Sequence, residues 1–502
     1  MIASLKNHKL ALFITAALFF LVCQYYIAVD PVRLGSGDDW RYFGAFYSNP
    51  IPIIGTWNVT RLFPEYLMPL IGYQSAFFTY PLVGDYLIAA GISLAVTIAF
   101  FISALYISLY RLLVSLHENR YACALTGLFM IALCFAFFKQ SPSGNVHMFF
   151  AEAYNLYFYY VFPNIFNSII ILILMRKMVL ANHLSFSSPW LLVAIYFGIF
   201  SILFSAAILL SFAISVLLFR FFLLWRPEKK YIAKLKSYAA DIVTHYNIAL
   251  TIIVGVVAAM LLELTSGRAK ADYLGDPYST SLFSLGFLKR IGTSADNFSL
   301  LVRSTNKYVF AAILLIVLIA VVHCFMRRKT APPLKNPLIN LAIFSFLSAA
   351  VLACFHIMAA AKAGTHYSGE IRSVYGAFFF VVLAVGLLAL YIQREMAPLR
   401  FFAPLALVLV LLVAANTRWP YHMVSRNSDK QLWHKLIPVL VEADEQMDTD
   451  IILYLPEHWQ DKWVYDSFCD TLYNHKLILS KINIVEIRES TSDNPSYSAY
   501  AE

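Results

Sequence analysis

The sequence predicts an all-α polytopic membrane protein with about eleven transmembrane helices and a small α/β segment at its C-terminal end. Three observations lead there. Of the 502 residues, 60% are hydrophobic and 13% charged, where soluble domains carry roughly 45–50% and about 25%. Uninterrupted apolar runs of about 20 residues, enough for a ~30 Å hydrocarbon core, recur from Leu10 to Ala415. From Asn416 the chain turns polar. A soluble enzyme, a disordered chain and a disulfide-built scaffold are excluded. The runs do not alternate, which excludes a membrane β-barrel.

The expected spans are 10–28, 84–110, 121–138, 157–175, 188–204, 207–225, 246–264, 308–326, 338–361, 374–392 and 400–415. The first follows Lys6 and Lys9 but has no small-x-small cleavage site before Asp30, so it reads as a retained helix and not a signal peptide. The stretch 188–225 lies between Arg176–Lys177 and Arg226, Lys229 and Lys230. Both flanks read as cytoplasmic, which makes the stretch a hairpin. Segments then placed inside hold 18 Lys/Arg and four acids; those outside hold 12 and 11; the tail holds eight and 14. The positive-inside bias puts the N-terminus in the cytoplasm and the tail outside. The net charge of +9 reports this orientation and not a nucleic-acid partner.

Two domains follow: a membrane domain over 1–415 and a tail over 416–502, read as helix 429–446, strand 450–455, helix 462–475 and strand 482–488. Outside segments cover 29–83, 139–156, 265–307 and 362–373. Five of the six cysteines fall in apolar runs and only Cys469 in a polar one, so no disulfide or metal framework is implied. No phosphate-binding glycine loop is present, so chemistry outside must draw on an activated donor already in the membrane.

The first outside segment carries the adjacent acids Asp38 and Asp39, preceded by Gly35 and Gly37 and followed by Trp40 and Arg41. Two readings stand side by side. One acid serves as a general base while the other is held by Arg41 or a backbone N–H; or Ser-Gly-Asp-Asp caps a helix. Asn58, Arg61 and Glu65 follow, with Arg61 and Glu65 four apart on one helix face. A guanidinium at the membrane surface suits a lipid phosphate, and a surface ion pair is the plainer alternative. Segment 139–156 brings Glu152 into a Tyr/Phe-rich run, either an interfacial belt or a sugar-stacking surface. Segment 362–373 gathers His366, Glu370, Arg372 and Tyr375 at the mouth of two spans. Glu370 and Arg372 are too close in sequence to face one another on a helix, whereas Arg372 and Tyr375 share a face. Segment 265–307 reads as a mobile lid or a solvated connection.

An acid pair directly after the first span, the Asn-x-x-Arg of Asn58 to Arg61, many further spans and the Arg-Ser-Val-Tyr-Gly run at 372–376 together resemble the GT-C class of integral-membrane glycosyltransferases. Within it the chain is most similar to the GtrII-like serotype-converting O-antigen glucosyltransferases. The resemblance implies a bacterial inner-membrane enzyme that moves a sugar from undecaprenyl phosphate to O-antigen or a similar glycan on the periplasmic side. It implies Asp38 or Asp39 as base, and Arg61 and Arg372 on the donor phosphate. Asn58, Glu65, Glu152, His366, Glu370 and Tyr375 stand as further donor or acceptor contacts. No cofactor is required, and a divalent metal at the first-loop acid is left open. An O-antigen polymerase or ligase, a lipid or solute transporter and a non-catalytic scaffold are the alternatives. A large central outside loop would mark the polymerase or ligase, and mid-span charges with internal symmetry the transporter.

Overall fold

The computed structural model of the protein describes residues 8–138, 146–185, 188–224, 231–267, 284–327, 336–396, 427–455, 461–489 and 494–499. The apolar runs it describes are helical, because a helix satisfies its own backbone polar groups in a lipid core. In chain order the helices are α1 (Lys9–Gln24), α2 (Gly37–Phe43), α3 (Leu62–Gln74), α4 (Tyr86–Val114), α5 (Arg120–Ala136), α6 (Phe162–Ala181), α7 (Pro189–Ile199), α8 (Leu203–Leu224), α9 (Tyr231–His245), α10 (Asn247–Glu263), α11 (Leu285–Arg303), α12 (Lys307–Met326), α13 (Pro337–Ala363) and α14 (Ile371–Glu395). Among the described residues seven helical stretches are long and apolar enough to cross a membrane; a pair bent by 86°, Tyr238–His245 with Asn247–Glu263, raises this to eight. The protein is a multi-pass membrane protein. In α14, 94% of the most apolar window is buried, against 28% in α1 and α12. So α14 is the central helix, and α1 and α12 present most of their surface to lipid.

Two expected spans come out short. α5 has 17 residues and α7 has 11, about 25 and 16 Å at ~1.5 Å per residue. After α7 the chain breaks at 200–202 and continues as α8; of the two, only α8 is long and apolar enough to cross a membrane. The break lies against the first loop: Phe63 N–H donates to the Phe200 carbonyl at 3.0 Å, and the Tyr196 hydroxyl to that of Pro50 at 2.7 Å. The expected span 246–264 is the second arm of the bent pair. The expected span 400–415 lies outside the described residues. Segment 265–307, expected as a lid or open connection, contains the amphipathic α11. Asn297 Nδ2 donates to the Thr365 carbonyl and Ser368 Oγ to that of Ser294, both at 2.8 Å, so these residues are docked to the bundle.

The tail follows its expected elements within a few residues: α15 (Asn427–Glu445), β1 (Asp450–Leu455), α16 (Lys462–Asn474) and β2 (Asn483–Glu489). A further strand, β3 (Ser496–Ala499), was not expected. The sheet order is β2-β1-β3, with β1 parallel to β2 and antiparallel to β3. The parallel pair needs a crossover, and α16 supplies it. The tail docks on the first loop, so both lie at one end of the bundle. Three π turns (Tyr25–Val29, Ser75–Thr79 and Tyr157–Val161) gather at that end, and such turns concentrate at functional sites.

Candidate functional site

α2 is only seven residues long, well below the length at which a helix stands alone. It is held from three directions. At its start Ser36 and Asp39 form a capping box. Asp39 Oδ2 accepts from the Ser36 and Gly35 N–H groups at 2.8 and 3.0 Å, and Oδ1 accepts from Asn155 N–H at 2.7 Å. Asp39 is 1% exposed. Burial pushes its carboxyl up, and the N–H donors of Ser36, Asn155 and Gly35 pull it down, leaving it above its ordinary value. Asp38, its neighbour, is exposed, and its charge acts on Tyr42 and Tyr159. The structure thus divides the pair: one acid is the helix cap, the other is exposed, with its charge felt by the ring cluster.

The tail is the second support. Trp40, fully buried, packs against both Trp433 and Phe468 at centroid distances of 5.1 and 4.6 Å, and those two rings touch each other at 4.9 Å. Thr471 Oγ1 donates to the Trp40 carbonyl at 2.7 Å. The glycines at the ends of α2 allow this approach: a Cβ at Gly37 would lie 2.6 Å from the Trp463 and Val464 side chains, and one at Gly44 would lie 2.7 Å from Thr471 Cα. The third support is His475, whose Nδ1 lies 2.5 Å from the Tyr86 hydroxyl and whose ring packs edge-on against Phe43. Burial pulls His475 down to about 4, so it sits there neutral.

Beside α2 lies the charged part of the site. Arg61 is the residue before α3, and Glu65 sits in the first turn; Pro64, between them, is tolerated there. The Arg61 guanidinium lies over the Tyr159 ring at 5.2 Å. Burial works against its charge, but Tyr159, Glu263, Tyr160 and Glu65 outweigh burial and leave its pKa raised. Glu65 accepts from Ser48, Asn58 and the Tyr159 hydroxyl. Burial pushes its carboxyl up against the opposing pull of Ser48, Arg61, Asn58 and Tyr159. Asn58 also donates to the Tyr42 hydroxyl at 3.2 Å. Arg372 enters from α14, with its guanidinium 5.2 Å from the centre of the Tyr160 ring. Tyr160 lies in the field of both Arg61 and Arg372. Successive tyrosines of the π turn Tyr157–Val161 therefore carry the two arginines.

One expectation is corrected here. Glu370 and Arg372 do pair, Nε to Oε2 at 2.9 Å. Glu370 is the extended cap residue ahead of α14, so helical spacing does not apply to it. Glu152 acts on Arg372 electrostatically from segment 146–153. His366 is exposed, and its ring lies tilted against Tyr367 at 4.2 Å. Tyr375 does not join the site: it is buried one turn deeper, against Phe149 and Phe379. Sequence reasoning missed Tyr42, Tyr159, Tyr160 and Glu263. Glu263 had a signal, an acid closing an apolar span; its Oε2 accepts from Thr60 Oγ1 at 2.6 Å. A small cleft opens beside this network, lined by Arg41, Tyr42, Tyr47, Ser48, Asn58 and Glu65. Arg41 lies 5.6 Å from the Tyr47 ring centre.

Chemically the arrangement offers an open carboxylate, two arginines held on aromatic faces, and a polar cleft, all at one end of a membrane bundle. Among the described residues no three His, Cys, Asp or Glu side chains gather so as to hold a metal ion. The fold and site define a multi-pass helical membrane protein with a charged cluster at the membrane edge. No family profile matches the chain, and no curated protein or solved structure matches it either.

Proposed function

We propose that the protein is a GT-C-type glycosyltransferase of the bacterial inner membrane. It transfers a sugar, in this reading glucosyl, from undecaprenyl phosphate to O-antigen or another cell-surface glycan on the periplasmic face. One observation carries the reading. Asp39 is committed to three backbone donors while Asp38 is exposed beside Tyr159, the ring that bears Arg61. In the proposed step the acceptor oxygen attacks the anomeric carbon and its proton passes to Asp38. The carbon–oxygen bond to phosphate breaks, and polyprenyl phosphate leaves with the bonding pair. Arg61 and Arg372 hold the phosphate and stabilise the charge that grows on it.

The topology is part of the proposal: eleven crossings, N-terminus cytoplasmic, tail periplasmic. Contact between the tail and the first loop supports an even number of crossings between them, and the expected ten satisfy that. The gathering of Asp38, Glu65, Arg61, Glu370 and Arg372 at one end of the bundle favours transfer chemistry over transport, which calls for charge at mid-span.

The test uses the full chain in proteoliposomes with synthetic undecaprenyl-phosphate glucose and purified O-antigen. Asp38→Asn is expected to lower the transfer rate by about 10²–10⁴, the usual contribution of a general base, with insertion unchanged. Full activity in Asp38→Asn would remove the base assignment. Absence of transfer by the unaltered protein with any polyprenyl-phosphate sugar would remove the function.

A further inference from the structure

The end of the bundle away from the site holds a second charged cleft. Tyr110 lies 24 residues beyond Tyr86 along α4, about 36 Å at ~1.5 Å per residue. A hydrocarbon core is about 30 Å thick. Tyr86 touches the tail at the site end, so Tyr110 stands at the headgroup level of the opposite leaflet. There the start of α1, the end of α4 and the start of α5 border an open cleft of about 450 Å³. His8, Lys9, Tyr110, Glu118, Arg120 and Tyr121 line it. Within the lining, His8 Nδ1 lies 2.7 Å from the Tyr110 hydroxyl. Lys9 and Arg120 have no carboxylate partner among the described ion pairs. Arg120 Nη1 is shielded from solvent yet finds no hydrogen-bond acceptor among the described residues. A buried guanidinium N–H without an acceptor is unfavourable, and it calls for an anionic oxygen from outside the chain.

We infer that this cleft binds a phosphate group, with Arg120 and Lys9 as its ligands and an anionic phospholipid as the molecule that carries it. A guanidinium and an ammonium at the headgroup level suit a phosphodiester. The apolar flank of α1 lies where the acyl chains of such a lipid would run: Leu12 and Phe13 are 48% and 71% exposed. Tyr121, 70% exposed, is placed as an interfacial anchor. Glu118 is the one carboxylate in the lining; it opposes the anion and so limits its affinity. The inference does not depend on the proposed transfer reaction.

Native mass spectrometry of the full-length protein tests it, with dioleoylphosphatidylglycerol and dioleoylphosphatidylcholine as probes. The unaltered protein is expected to retain phosphatidylglycerol about tenfold better than phosphatidylcholine. Lys9→Gln with Arg120→Gln should remove that preference. Arg176→Gln, an exposed cation in the last turns of α6, should leave it intact. Glu118→Gln should strengthen retention a few-fold, which a misfolded variant cannot do. Inorganic phosphate separates the two sources. If millimolar phosphate displaces the lipid, the site takes the free anion as well; if not, the acyl chains are part of recognition. Equal retention of both lipids by the unaltered protein overturns the inference, and so does an equal loss in Arg176→Gln.

Discussion

The two halves of the site are built from opposite materials. On the tail side, α2 is fixed by rings and neutral groups: Trp40 against Trp433 and Phe468, Phe43 against His475, and Thr471 on a main-chain carbonyl. On the bundle side, charge does the placing: Arg61 over Tyr159, Arg372 over Tyr160, with Glu65 and Glu370 beside them. The acid pair lies where the halves meet, with Asp39 belonging to the packed half and Asp38 facing the charged one. Disturbing the packed half should loosen α2 and lower the rate through misplacement of Asp38. Disturbing the charged half should weaken donor binding and leave stability nearly unchanged.

The largest separation is expected from pH. His475 is held at about 4 against an ordinary 6.5, because its neutral ring is buried among Phe43, Tyr73 and Tyr86. A depressed histidine contributes stability that is present above pH 6.5 and is lost as pH falls toward 4. The difference amounts to about 2–3 kcal/mol between pH 7 and pH 4.5. Hydrogen exchange of the 35–44 amides should speed up over that window in the unaltered protein and lose this dependence in His475→Asn. The same pH profile in both proteins would detach His475 from the docking of the tail.

The charged half is addressed by Arg372→Ala. A charge-assisted contact contributes about 1.5–3 kcal/mol, so the donor concentration for half-maximal transfer should rise roughly 10–100-fold. The 35–44 amides should exchange as before. An unchanged donor dependence would take Arg372 out of the phosphate site, and faster exchange at α2 would show that the halves are not independent.

What was legible in the sequence divides along the same line. Most described spans, and the tail elements other than β3, were legible because apolar runs and local periodicity need no distant partner. The cap at Ser36 was legible for the same reason. The choice between Asp38 and Asp39 was not, because it is made by Asn155, 116 residues away. The Tyr159–Tyr160 platform was hidden by a π turn, whose spacing differs from the helical period used to read faces. The Glu370–Arg372 pair was missed because Glu370 lies outside the helix that the spacing argument assumed. α11 was read by its charges, which obscured an amphipathic repeat. Glu263 closes an apolar span, and only the fold brings it to Thr60 and Arg61.

The smallest expected effect is the sharpest test of whether packing serves chemistry. Helix ends leave carbonyls without intrahelical partners, and in α2 one of these, on Trp40, receives the Thr471 hydroxyl. The same hydroxyl also lies 2.8 Å from the Ser467 carbonyl in its own helix. Thr471→Val keeps the shape and removes the donor, at a cost of about 1 kcal/mol. If that loss falls on the placement of α2, kcat should drop about fivefold with donor half-saturation unchanged, and the 35–44 amides should exchange about fivefold faster. Thr471→Ser keeps the donor and should restore both. A rate that falls in Thr471→Val without faster exchange at α2 would place Thr471 in direct contact with substrate. Faster exchange with an unchanged rate would mean that the tail stabilises the first loop without positioning Asp38.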